Sequence, residues 1–231
     1  MHSGIRSLLV LLSCSLSTLI GFSQDQWRDT FPEDSAFVSA GRNSYFVLEP
    51  GFRLVLKGKE KGASAKLVIT VLEETKVVDG VETRVVEERE SVDGALVEVS
   101  RNFFAVGKQT KNIYYFGEEV DMYREGKVVS HEGAWQSGVR GARYGLMMPA
   151  DPLRGSRFYQ EVAPDVALDR AEVISTTEAV KTAAGRFKNC LKVEETTPLE
   201  PDTKEAKLYA KNIGLIRDGS LSLVEYGFEH K

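Results

Sequence analysis

Histidine, cysteine and paired carboxylates are the residues through which this chain could do chemistry. His131-Glu132-Gly133-Ala134-Trp135 begins like a zinc-protease helix, in which two histidines four apart hold the metal beside a glutamate base. Trp135 stands where the second histidine belongs, and the stretch reads as strand. Beyond residue 23 the other histidine is His230, so a serine triad would have to use His131, and no nucleophile-elbow motif accompanies it. Gly58-Lys59-Glu60-Lys61-Gly62 lacks the Gly-Lys-Ser/Thr ending of a phosphate loop. No cysteine–histidine cluster has zinc-ligand spacing, and no cofactor signature is present. Cys190, between Phe187 and Leu191, reads as a buried strand cysteine. Carboxylates occur in runs, Glu87-Glu88-Glu90, Glu118-Glu119-Asp121 and Glu194-Glu195. Neighbours in a strand point to opposite faces, so no run makes a site by itself and each is expected to be solvated. A hydrolase would need two carboxyls converging from different strands.

The binding candidates cluster elsewhere. Trp135, Tyr144, Met147 and Met148 precede Arg157, Tyr159 and Glu161 around the segment Gly138–Ser156, which is rich in glycine and proline. Such a segment reads as a long connection. Flat aromatic walls, adaptable methionines and a polar anchor in Arg157 or Glu161 suit a small apolar ligand at the mouth of a curled sheet. The competing expectation is that the same residues plug that mouth.

The elements that must position these residues are strands. Lys66–Val77, Val81–Ser91 and Ala95–Val106 are rich in Val, Thr and Phe and are joined at Asp79-Gly80 and Asp93-Gly94. Asp-Gly is a tight-hairpin signal, so the three form an antiparallel meander. Glu125-Gly126 and Asp218-Gly219 mark further hairpins. Apolar residues at helical spacing are nearly absent. The expectation is an all-β domain, a strongly curled antiparallel sheet or barrel-like meander, lipocalin-like or lipid-carrier-like. It should occupy residues 45–231, after a polar arm at 24–44 with one helical turn near Asp34–Ser39.

Residues 1–23 carry Arg6, then the apolar run Ser7–Phe22, then Gly21 and Ser23 at the −3 and −1 positions of a cut before Gln24. This is the order of a signal peptide. Leu11-Leu12-Ser13-Cys14 offers a second reading, a lipoprotein anchored through Cys14. Export with one cysteine left, Cys190, leaves no internal disulfide, so the core must carry stability. The chain has 34 acidic and 30 basic side chains, net charge −4, without a basic block, so nucleic acid is a poor partner. No stable membrane span is expected after the leader.

Gly133, Trp135, Gly138-Val139, Gly141-Ala142, Gly145, Met148-Pro149-Ala150, Gly155 and Tyr159-Gln160-Glu161 resemble a family of uncharacterised bacterial secreted or periplasmic all-β proteins. Ala163-Pro164-Asp165-Val166-Ala167, Asp169, Ala171-Glu172-Val173, the run Gly185–Gly219 and the Pro50-Gly51 turn continue the likeness. Asp165 departs from it where a glycine is expected, and Phe52-Arg53-Leu54 departs where an aromatic such as Trp is more usual a little further along. The resemblance implies export and an all-β domain, and carries no assigned activity. The expected function is a non-catalytic binding or interaction domain of the bacterial envelope, for an apolar small molecule or an envelope component. The alternative is an envelope hydrolase with carboxylates such as Asp151 or Glu161 near the 138–156 segment.

Overall fold

A computed structural model of the chain describes residues 26–228. The leader reading, Cys14 included, lies outside them. The strands are β1 Phe37–Val38, β2 Gly41–Arg42, β3 Val47–Leu48, β4 Phe52–Glu60, β5 Ala63–Val78, β6 Val81–Val92, β7 Ala95–Gly107, β8 Ile113–Arg124 and β9 Lys127–Ser130. They continue as β10 Trp135–Gln136, β11 Arg143–Met148, β12 Arg157–Tyr159, β13 Glu161–Val162, β14 Arg170–Thr182, β15 Gly185–Thr197, β16 Glu200–Ala210, β17 Gly214–Asp218 and β18 Leu221–Phe228. The described residues contain no helix, so the helical turn expected near Asp34–Ser39 is replaced by bends and the short strand β1.

Thirteen strands form one antiparallel path, β12-β14-β15-β16-β17-β18-β4-β5-β6-β7-β8-β11-β13. Its two ends meet in one segment. β12 pairs with β14 through Phe158↔Ala171, and β13 pairs with β11 through Tyr144↔Glu161. Only Gln160 separates β12 from β13, and its N–H reaches the Asp169 carbonyl at 2.8 Å. The sheet is thus nearly closed into a barrel, which removes most of the exposed strand edge.

The hairpin turns have the geometry their sequences demand. Asp79 and Gly80 have φ of 51° and 76°, Asp93 and Gly94 of 48° and 82°, the left-handed pair of a primed turn. A Cβ at Gly80 or Gly94 would meet nothing within 4 Å, so only backbone strain opposes a side chain there. Gly80→Val and Gly94→Val are each expected to cost about 1 kcal/mol or more. An unfolding midpoint unchanged in both variants would show that the turns do not fix the register.

The described residues of the arm pack against the barrel. Residues 43–48 enter one end of the barrel, where Asn43 Nδ2 donates to the Met148 carbonyl at 3.2 Å and Asn212 N–H to the Ser44 carbonyl at 2.8 Å. Tyr45, Val47 and Leu48 are buried there. Residues 31–37 strap the outside of β8. Phe31 and Phe37 pack on Tyr114, and Phe37 also on Phe116, with ring centroids 5.4–5.9 Å apart. Segment 138–156, expected as a connection, contains the barrel strand β11. Gly145 makes this possible, since a Cβ there would stand 2.4 Å from the Gln160 carbonyl carbon.

Candidate functional site

Strand alternation gives the barrel an inner and an outer face. On β6, Glu87 and Arg89 point outward, and Arg89 and Arg101 lie 3.5 Å and 3.6 Å from Glu87. Glu194 on β15 likewise pairs outside with Lys204 at 2.9 Å. Their neighbours in sequence point inward. Register places Val86, Glu88 and Glu90 of β6 opposite Asn102, Ser100 and Glu98 of β7. It places Glu195 and Val193 of β15 opposite Glu205 and Lys207 of β16, and Lys207 opposite Asp218 of β17. Part of each carboxylate run therefore enters the barrel, Glu88 and Glu90 of the first, Glu118 of the second and Glu195 of the third. The expectation that Glu88, Glu90, Glu118 and Glu195 are solvated on the outside is corrected: the alternation holds, but the barrel interior takes this part.

The interior is graded along the barrel axis. A cavity of about 80 Å³ lies inside it. Phe46, Phe52, Leu54, Val71, Phe104 and Ile213 line the end that residues 43–48 close, and Glu88, Lys207 and Asp218 line the other part. Lys207 Nζ is 2.7 Å from Glu195 Oε2 and 3.9 Å from Asp218 Oδ2. Burial pulls the ammonium down, but Glu195 and Asp218 outweigh it and hold Lys207 well above the usual lysine value.

Among the described residues Glu88 makes no such pair. Protein surrounds it, and the accessible surface it keeps faces the cavity. Burial raises its carboxyl to about 8, against the partial relief of Lys207 and with Asp218, Glu90 and Glu118 adding to the rise. Burial also lifts Glu90 and Glu118 to about 7. Asp218 is raised by burial, with Lys207 and a hydrogen bond from Glu205 opposing. Asp218 Oδ1 is buried and takes no hydrogen bond.

The seven predicted binding residues separate. Met147 lines the cavity, its Sδ 3.6 Å from Gln160 Nε2. Met148 is 1% exposed and belongs to the packed core. Trp135 packs edge-on against Tyr115 with centroids 5.3 Å apart. Its indole N–H faces Glu161, which is 4% exposed. Burial lifts the Glu161 carboxyl well above the carboxylate range, Asp169 and Glu118 add to this, and Trp135 opposes it. Neither residue lines the cavity. Tyr144 stacks on Phe116 outside the barrel at 4.8 Å. Arg157 binds Glu172 at 3.0 Å and, like Tyr159, lies beside Trp27. Only Met147 of the set reaches the central cavity. The residues that sequence reasoning missed are Glu88, Lys207, Tyr209 and Asp218. Their signal was the two-residue alternation of charge through Glu88-Glu90 and Glu205-Lys207, on strands with no mark of which face is inside.

His131 is 71% exposed and its Nδ1 lies 2.9 Å from Asp121 Oδ1. Cys190 is buried and unpaired, and burial raises its thiol. Among the described residues no group of three or more His, Cys, Asp or Glu is arranged to hold a metal ion, and no helix is long and apolar enough to cross a membrane. Comparison with family models, curated proteins and solved structures finds no match for the chain.

Proposed function

We propose that the protein is an exported, non-catalytic binding domain that holds an apolar small molecule inside its barrel. The cavity is the observation that carries this reading: apolar walls at the closed end and a few polar groups above them, the usual make-up of a small-molecule site. Export rests on the order of residues 1–23 and on the resemblance to secreted bacterial proteins.

The two methionines test it. Met147→Ala should leave stability nearly unchanged and weaken binding of a neutral apolar fluorophore such as N-phenylnaphthylamine. Met148→Ala should lower stability by about 2–5 kcal/mol, the cost of a truncated core methionine. A parent protein that does not enhance the fluorescence, with both variants equally destabilised, would leave a filled structural barrel and no site.

One observation favours the hydrolase as a second reading, though not at Asp151 or Glu161. Glu88 and Asp218 converge from different strands on the cavity, and two carboxyls converging from different strands are what a hydrolase needs. Turnover of a small ester or glycoside by the parent and its loss in Glu88→Gln would displace the binding reading.

A further inference from the structure

We infer that the ligand of this cavity is an amphiphile with a protonated amine at its polar end, held by Glu88. The inference rests on the binding reading above and adds the chemistry of the head group.

The cavity's shape sets the orientation. Its closed end is walled by Phe46, Phe52, Leu54 and Phe104, where a hydrocarbon tail would leave water. Glu88 stands above this apolar part on β6, its carboxyl turned to the unfilled space.

Charge sets the sign of the head. Among the described residues Lys207 is the one cation lining the cavity, and it is already held by Glu195 at 2.7 Å and by Asp218 at 3.9 Å. An anionic head would have to displace a carboxylate from it and then sit among the remaining acids. An ammonium meets a Glu88 carboxyl that, among the described residues, no hydrogen bond or ion pair occupies. A charge-assisted bond in an enclosed site is about twice as strong as a neutral one.

The groups facing Glu88 fix the protonation that accompanies binding. Lys207 and Tyr209 face it from β16, Asp218 from β17, Tyr115 and Glu118 from β8, and Glu90 lies on its own strand. Ser100 and Ile69, its register partners on β7 and β5, do not titrate near neutrality. Acids outnumber the single lysine, and burial keeps Glu88 at about 8, so it is largely protonated at pH 7 in the empty barrel. Binding an ammonium ionises it, and the carboxyl proton passes to the buffer. Complex formation should release close to one proton near pH 7.

The test is competition for N-phenylnaphthylamine by octylamine, octanol and octanoate at pH 7 and pH 9, in the parent and in Glu88→Gln. Octylamine is expected to displace the fluorophore at a lower concentration than octanol, a preference that grows from pH 7 to pH 9 as ionising Glu88 costs less, with octanoate weakest. Glu88→Gln should bring the octylamine-to-octanol ratio close to one. Calorimetry of the parent in buffers of different ionisation enthalpy gives the released proton without any substitution. Displacement by octanol with no preference for the amine would overturn the head-group assignment and leave the cavity reading standing. So would a preference for octanoate, or no proton release with octylamine. Failure of all three to displace the fluorophore would overturn both.

Discussion

Lys207→Met is expected to destabilise the protein by about 3–5 kcal/mol at pH 8, because it strips the cation from buried carboxylates that remain. Methionine keeps most of the volume, so little of this is lost packing. The loss is electrostatic, since Glu195 and Asp218 would share the interior with Glu88 and no counter-charge. Glu88 and Asp218, raised by burial, can escape by taking up protons, so acid should restore much of the variant's stability. Thermal unfolding at pH 5 and pH 8 separates the two parts, and a variant as stable as the parent at pH 8 would show that Lys207 does not hold the barrel together.

The parent should show a milder form of the same dependence. Glu88, Glu90 and Glu118 have folded values of about 8, 7 and 7 against 4.5 when unfolded. The native state therefore binds more protons than the unfolded chain between these limits. Stability from these groups is fully present below the unfolded value and falls as pH rises through the folded ones. Glu88 is the most enclosed and should dominate, and Glu88→Gln should flatten the melting temperature between pH 5 and pH 9.

The scaffold was legible where it is local. Asp79-Gly80 and Asp93-Gly94 announce their turns because positive φ is a two-residue property. The closure of the barrel was not, because one segment at 157–162 pairs with β14 on one side and β11 on the other, a fact about distant strands. Glycine misled at β11, where Gly145 marks a close crossing with Gln160 rather than a loop. The inner carboxylates were hidden for a different reason. β6 carries Glu87 and Arg89 on one face and Glu88 and Glu90 on the other, so hydropathy alone does not say which face is inside. The apolar wall could be read in part, through Met147, but the group most apt to choose the ligand sits on a strand that looks solvated.

The N-terminal arm, polar in sequence, is held by a buried acid whose removal should have a comparable effect. Asp34 is 4% exposed. Its Oδ1 accepts the backbone N–H groups of Gln109 at 2.9 Å and Thr110 at 3.2 Å, and its Oδ2 the Tyr114 hydroxyl at 2.9 Å and the Thr110 hydroxyl. Burial pushes the carboxyl up, but these donors outweigh it and hold it below the usual aspartate value. Asp34→Ala would leave the donors of the β7–β8 turn and the Tyr114 hydroxyl unsatisfied, and would loosen the strap that lays Phe31 and Phe37 on β8. Hydrogen bonds to a charged group contribute about 1.5–3 kcal/mol each, without full additivity, so a loss on the order of 3 kcal/mol or more is expected at pH 6. The sign with pH is opposite to that of the barrel interior. A depressed folded value contributes stability above the unfolded value near 3.8, and this is lost as pH falls through the folded one. Parent and Asp34→Ala should therefore differ fully at pH 6 and converge in strong acid. Amide exchange adds the structural readout: Gln109 and Thr110 should lose protection in the variant. A gap between the two unfolding curves that stays constant from pH 6 to pH 2 would mean that Asp34 acts through its shape and not its charge.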